Sequence, residues 1–386
     1  MADECCAENL VAHGVTRMSR KIVMSGMRAT GRLHLGNYWG ALRNWVDLQE
    51  ERECYFMVAD WHMFCTSYEE TARLQENIRE MVLDWLAAGI DPEKAVVFQQ
   101  SRVPQHAELT LALGMVTPIS WLENNPTYKE QLQELSKTKL SRALEEQGVL
   151  SATQREKVAG QKLETVAPDQ EKVRSEMRTL GFLGYPVLQT ADIVLYGAHE
   201  VPVGKDQMPH VEISREIVRR FNGIYADTLV EPKGVLTQTP KVNGTDGRKM
   251  SKSYGNALDL TETPESLGQK VMKMYTDPTR IRKDDPGHPE PCEKNPPGCS
   301  VFALHKLYGD DAPARKMDCE QGKIGCVGCK KDLLKFLEEP FGEFRERRET
   351  FAKKGLVEDI LMQGSEKARE RAERTMEKVR AAMNLR

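Results

Sequence analysis

The sequence predicts an α/β fold, with a parallel sheet in the first two-thirds of the chain and an all-α region after it. Three short apolar runs carry this: Ile22–Met24, Cys54–Ala59 and Ala95–Phe98. Each has the length of a buried strand and is too short for a helix. Each is followed by helical periodicity, and strands alternating with helices imply a parallel sheet covered on both faces. From Thr261 onward the pattern is helical with long loops.

Composition bounds the possibilities. A chain of 386 residues is long enough for two domains with substantial cores. Its 29% charged and 40% hydrophobic residues are those of an ordinary globular protein. The net charge of −3 gives no overall positive field, so any RNA contact must use local basic patches. No apolar run approaches the roughly 20 residues of a membrane span. Residues 1–20 read as a flexible tail without the apolar core of a signal peptide, so a cytoplasmic location with reduced thiols is expected. Cys5 and Cys6 in that tail suggest no function. Nine cysteines, an odd number, also argue against a complete disulfide framework.

The first strand leads into a loop punctuated by Ser25-Gly26 and Thr30-Gly31. Leu35, Trp39, Leu42 and Val46 then recur at helical spacing, so a helix starts near His34 to Gly36. Free N–H groups at such a start bind phosphate. Gly36 lets a ligand approach the backbone, and His34 and Asn37 offer donors at the same mouth. Many α/β proteins place a glycine here merely for packing, and this is neither a dinucleotide fingerprint nor an NTPase phosphate loop. The second strand ends at Asp60, Trp61 and His62, on the edge where parallel sheets bind ligands. Leu74, Ile78, Met81, Val82 and Trp85 form the apolar face of the next helix, and another helix runs around Ala107 to Met115.

Between residues 128 and 178 the composition turns rich in Lys, Glu, Gln and Ser, which reads as a helical insertion, most simply a solvated one. Pro186 then suits the first turn of a helix that is apolar on most sides. On it Tyr185, Gln189 and Asp192 recur at i, i+4 and i+7, a polar stripe on a buried helix. Such a stripe is satisfied either by a core hydrogen-bond network or by a ligand. Val201–Val203 is a short strand, Gly204 a turn, and Asp206 a candidate helix N-cap. Gln207, His210 and Ser214 share a face of that helix. Farther on, Arg248-Lys249-Met250-Ser251-Lys252-Ser253 follows Gly244 and Gly247. A mobile cationic loop of this kind suits a departing pyrophosphate, although an isolated one can equally be a solvated basic turn.

Taken together, Leu-His-Leu-Gly-Asn at residues 33–37 and Lys-Met-Ser-Lys-Ser at 249–253 resemble the two signatures of class I aminoacyl-tRNA synthetases. With Tyr185–Ile193 and Val201–Glu212 added, the chain is similar to the tryptophanyl-tRNA synthetases from about Lys21 to the C-terminal helix. That resemblance implies a Rossmann-like catalytic domain over 21–260, with the insertion at 128–178, and a helical anticodon-binding domain over 261–386. It implies a tryptophan–tRNA ligase that uses ATP and Mg²⁺, forms tryptophanyl-adenylate, charges tRNA(Trp) and works as a homodimer. His34, Asn37, Lys249, Ser251 and Lys252 would be catalytic. Arg28, Ala29, Thr30, Gly36 and Asn37 would hold ATP, with Gly204, Lys205, Asp206 and Val242 at its ribose and base. Lys249, Met250, Ser251, Lys252 and Ser253 would close over the phosphates. Asp192 would accept the indole N–H, and Met24, His62, Tyr185, Gln189, Val201, Val203 and Gln207 would line the tryptophan pocket. The chain departs from the family at Met24, often aromatic, at Arg28, often glutamine, and at Asn37, often histidine.

In the last third, Lys270, Lys273, Arg280, Arg282 and Lys283 form a basic cluster where RNA phosphates could land. Cys299, Cys319, Cys326 and Cys329 follow with spacings x19, x6 and x2, preceded by Cys292. This is metal-site spacing, and four thiolates suit zinc or an iron–sulfur cluster. The resemblance favours a four-iron, four-sulfur cluster in a module over 292–329, with Cys299 rather than Cys292 as first ligand and zinc as the alternative. A tyrosine-specific synthetase, whose pocket also needs a buried acceptor, is the near alternative. A regulator on a synthetase-like body that binds RNA without catalysis is the distant one.

Overall fold

Five parallel strands form one sheet in the order β3-β2-β1-β4-β5, with β1 Ile22–Arg28, β2 Glu53–Ala59, β3 Ala95–Gln99, β4 Glu200–Val203 and β5 Lys233–Leu236. The computed structural model describes residues 20–69, 71–133, 136, 178–237, 242–309 and 311–385. The expected tail, except residue 20, and most of the expected insertion lie outside these. The chain is α/β, a Rossmann-like sheet followed by a helical region.

The three predicted strands form where expected, but β1 runs four residues farther than its apolar stretch. Ser25 and Gly26 continue the strand and do not open a loop. A Cβ at Gly26 would stand 3.2 Å from the Met57 carbonyl oxygen, so glycine lets β1 lie close to β2. The edge strand β5 was not foreseen, because Lys-Gly-Val-Leu is short and mostly exposed. The order matters for function. The chain leaves β1 in one direction for β2 and β3, and in the other for β4 and β5, so a crevice opens at the carboxyl ends of β1 and β4.

After β1, one turn of helix (Leu35–Asn37) passes through a π-helical turn (Tyr38–Leu42) into α1 Arg43–Glu51. Then come α2 Trp61–Ser67, α3 Leu74–Ala88 and α4 Gln105–Val116. Helix α5, Leu180–Val194, is capped by Thr179, whose hydroxyl accepts the Phe182 N–H. It begins six residues before Pro186, so that proline sits inside the helix and not in its first turn. Helix α6 spans Met208–Ile224, and its N-cap is Gln207, not Asp206. Asp206 lies within the preceding 3-10 turn; its side chain is outside the described residues.

Helices α7 Pro264–Met272, α8 Ser300–Tyr308, α9 Ala312–Glu320, α10 Cys326–Phe351 and α11 Leu356–Ala382 complete the chain. Leu333, Leu337, Phe341 and Phe344 of α10 join the core that holds Trp45, Trp85 and Phe56. Ala368, Ala372, Met376 and Val379 of α11 join the core on the sheet's other face. Helix α11 also covers the edge strand β3. A Cβ at Gly364 would fall 1.8 Å from the Val97 carbonyl oxygen, and Ser365 Oγ accepts the Gln99 N–H at 3.3 Å. No helix among the described residues is long and apolar enough to cross a membrane.

Candidate active site

A cavity of about 1170 Å³ opens at the carboxyl ends of β1 and β4. Its walls bring together segments more than two hundred residues apart. From the first strand and loop come Met24, Arg28, Thr30, His34, Gly36 and Asn37. His62 comes from α2, and Tyr185, Gln189 and Asp192 from α5. Val201, Val203, Gly204, Lys205 and Gln207 come from β4 and the turn after it, and Val242, Lys249, Met250 and Ser251 from the lysine loop. Four of the predicted residues stand elsewhere or have side chains outside the described residues, Asp206 among the latter. Ala29 is sealed in the core. Lys252 lines an adjoining hollow of about 530 Å³, which shares Thr30 with the main cavity. The Ser253 side chain is outside the described residues.

The first signature stretch is joined by backbone to the segment just after the second. Leu35 N–H donates to Leu258 O and Leu260 N–H to Leu33 O, each at 2.9 Å, around an antiparallel bridge between His34 and Asp259. Lys252 Nζ reaches back to the Thr30 carbonyl at 2.8 Å. The lysine loop is less open than its glycines suggest. Buried Asn256 sits inside it, accepting the Ser251 N–H at 2.8 Å and donating to Asp246 at 2.7 Å and to the Lys249 carbonyl at 3.2 Å. A Cβ at Gly244 would stand 2.3 Å from the Asn256 side chain, so glycine there makes room for that residue.

At the helix start, Asn37 Oδ1 accepts the His34 N–H at 3.1 Å. The His34 ring folds over Gly36, where a Cβ would meet it at 2.9 Å. Space for this ring is thus one reason for a glycine at 36, beside the approach of a ligand. Burial, and then the nearby Lys252 charge, push the His34 imidazole down to about 4, so it is neutral at neutral pH. Arg28 donates to Thr66 at 2.7 Å, and burial lowers its pKa. Arg28, Lys205 and Lys249 are the lysine and arginine side chains in the described wall, and Asp192 is its carboxylate. The cavity therefore has a cationic side suited to a polyphosphate.

Asp192 of α5 is almost fully buried. Its oxygens accept from His62 Nε2 at 2.8 Å and from Gln100 Nε2 at 2.9 Å. His106 Nδ1 lies 2.6 Å away but is misaligned for an N–H···O bond, so we count it as an electrostatic contact. His106 Nε2 in turn meets the Tyr196 hydroxyl at 2.7 Å. Burial alone would raise the Asp192 pKa, but His106 and His62 outweigh it and hold it at about 2. Burial likewise works against a charged His62, yet the bonds to Asp192 and Cys65 raise it to about 9. Tyr185 is within 3.3 Å of His210 Nε2. Gln100 and His106 were missed in the sequence. Gln100 also takes the Trp61 N–H at 3.1 Å, which fixes its amide with the NH₂ toward Asp192.

The basic cluster divides. Lys270 is paired with Glu262, while Lys273, Arg282 and Lys283 are exposed. Arg280 turns inward and lies 3.7 Å from Cys319 Sγ and 3.9 Å from Cys326 Sγ. Burial, and then the charges of neighbouring cysteines, raise the thiol pKa values of Cys299, Cys319 and Cys329, and Cys326 is one of those neighbours. Among the described residues, however, no three His, Cys, Asp or Glu side chains stand together so as to hold a metal ion. The predicted metal centre is not supported by this arrangement: Arg280 lies against two of the thiols. Cys292 is exposed.

The model of the family described as tRNA synthetases class I (W and Y) matches residues 17–147 and 159–342, and the chain belongs to that family. Two of its curated relatives are tryptophan–tRNA ligases. It is 49% identical to the tryptophan–tRNA ligase of Aquifex aeolicus, over 94% of this chain and 99% of that one. It is 44% identical to the corresponding ligase of Thermotoga maritima, with the same coverage of 94% and 99%. Among solved structures it is similar to the tryptophanyl-tRNA synthetase of Campylobacter jejuni in complex with ADP and tryptophan. The TM-score is 0.72 at 30% identity, covering 94% of this chain and 99% of that one.

Proposed function

We propose that the chain is a tryptophan–tRNA ligase. A carboxylate oxygen of tryptophan attacks the α-phosphorus of ATP, the bond to the bridging oxygen breaks, and pyrophosphate leaves. A terminal hydroxyl of tRNA(Trp) then attacks the adenylate carbonyl and AMP leaves. The observation that carries this reading is the single cavity shared by His34, Lys249 and Asp192. The ADP and tryptophan in the Campylobacter jejuni relative support it.

In this scheme Asp192 accepts the indole N–H. A carboxylate offers about four acceptor directions, and Asp192 lines the cavity. Met24, His62, Tyr185, Gln189, Val201, Val203 and Gln207 surround the ring. Neutral His34 and Asn37 donate hydrogen bonds to phosphate, and Arg28, Thr30, Gly36, Gly204, Lys205 and Val242 hold the nucleotide. Lys249, Ser251 and Lys252 follow the charge onto pyrophosphate, so catalysis is positioning and charge stabilisation. Mg²⁺ would be held by the triphosphate itself and would supply neutralisation of part of its charge.

The test is ATP–pyrophosphate exchange with tryptophan and with tyrosine. Tryptophan should support exchange and tyrosine should not. Asp192→Ala should cost a large part of a discrimination on the order of 10⁴ to 10⁵, the range for sites built around one hydrogen bond. Exchange with neither amino acid overturns the assignment.

Three further features belong to the same proposal. The region 261–386 carries anticodon recognition, with Lys273, Arg282 and Lys283 as phosphate contacts. The enzyme is cytoplasmic and acts as a homodimer, which exposed Leu111, Met115 and Ile119 support. Cys299, Cys319, Cys326 and Cys329 ligate an iron–sulfur cluster, with zinc as the alternative. The supporting points are the softness of four sulfur donors and their proximity; Arg280 would have to move aside. Iron and sulfide analysis of anaerobically purified protein tests this, and protein free of iron overturns the cluster.

A further inference from the structure

We infer that Arg348 and Asp84 are positioning residues for adenylate formation: through them the last turn of α10 fixes the backbone that carries His34. Asp84 of α3 is fully buried. Its Oδ2 accepts the Leu33 N–H at 2.6 Å, one residue before His34. Its Oδ1 accepts Arg348 Nε at 2.7 Å, and Arg348 Nη2 donates to Glu80 at 2.7 Å. One turn back on the same helix, Arg345 Nη1 donates to the Glu262 carbonyl at 2.6 Å. Leu33 and Glu262 belong to the two segments joined at the His34–Asp259 bridge. Two arginines at i and i+3, on one helix face, therefore grip both sides of the junction between the signature loop and the segment after the lysine loop.

A buried ion pair is a poor source of net stability, because desolvation offsets most of the attraction. It does set geometry, since each partner has one arrangement in which its hydrogen bonds are complete. Here the group being set is a backbone N–H beside the proposed phosphate donors. A displacement of about 1 Å at reacting groups costs on the order of 100-fold in rate. Arg348 and Asp84 do not line the main cavity, so the effect should fall on the chemical step and spare tryptophan binding.

The inference rests on the proposed adenylation for its kinetic readout. Arg348→Met and Asp84→Asn, each in the full chain, should lower kcat for ATP–pyrophosphate exchange about 10- to 100-fold. The KM for tryptophan should stay within about twofold, and Arg348→Lys, which keeps the charge but not the fork that holds both Asp84 and Glu80, should recover only a small part of the loss. Hydrogen exchange at the Leu33 amide should quicken in both impaired variants. A folded Arg348→Met or Asp84→Asn protein with kcat within about twofold of the parent overturns the inference, as does a parallel rise in the KM for tryptophan. If the parent chain shows no exchange, the functional assignment fails. Leu33 amide protection then decides the clamp alone: unchanged protection overturns it.

Discussion

At Asp192 one carboxylate is met by three side chains from two other stretches: His62 after β2, and Gln100 and His106 after β3. The carboxylate was legible because Tyr185, Gln189 and Asp192 recur at helical spacing on an otherwise apolar helix. Its partners were less so. His62 was placed in the pocket through resemblance, while Gln100 and His106 follow β3 with no local pattern to mark them. Their meaning exists only once the sheet brings the ends of β2 and β3 side by side. The His62 pKa has a consequence for stability. Its folded value of about 9 lies above the ordinary 6.5, so the folded protein holds that proton more tightly than the unfolded chain. The contribution is complete below about pH 6.5 and is lost as pH rises through about 9. Melting temperature should therefore fall across this window, and His62→Gln should flatten the fall. An identical slope in parent and variant would remove His62 as its source.

Among the elements, those with a strong period were readable and those shaped by neighbours were not. Helix α3 followed directly from Leu74, Ile78, Met81, Val82 and Trp85. The length of β1 did not, because Ser25 and Gly26 belong to a strand only through close pairing with β2. Pro186 misled for a similar reason. A proline inside a helix removes one hydrogen bond, and packing of α5 against the core supports the helix around it. The lysine loop showed its glycines and cations, but Asn256, which knits it together, has no periodic or motif signature. The contact of α11 with β3 gives an element-scale prediction. Gly364→Ala would drive a methyl group into the Val97 carbonyl, so helix and strand must part. A loss of about 1–3 kcal/mol is expected, seen as a lower urea midpoint. An unchanged midpoint would mean that the helix does not bear on the strand so closely.

On the scale of the whole molecule, strand alternation predicted the parallel sheet, but not the order that puts β1 beside β4. That order creates the crevice, and it depends on contacts between β1 and a strand more than 170 residues away in sequence. The charged, amphipathic last helices are expected from sequence to pack back on the core, and α10 and α11 do so, but that α11 would cover β3 was not legible. Leu111 and Met115 of α4, with Ile119 just beyond it, are 63%, 71% and 63% exposed, and they give a prediction about assembly. Met115→Glu should shift the proposed dimer toward monomer in light scattering. A dimer of undiminished stability would move the interface elsewhere.

The cover that α11 places over β3 bears on how the protein is made. Val97 leaves the ribosome long before Gly364 does, so for most of its synthesis the growing polypeptide carries a strand whose outer rim is open to pairing with other chains. Nascent or prematurely stopped products are thus the species most exposed to self-association, and chaperone demand should peak just before the final helix emerges.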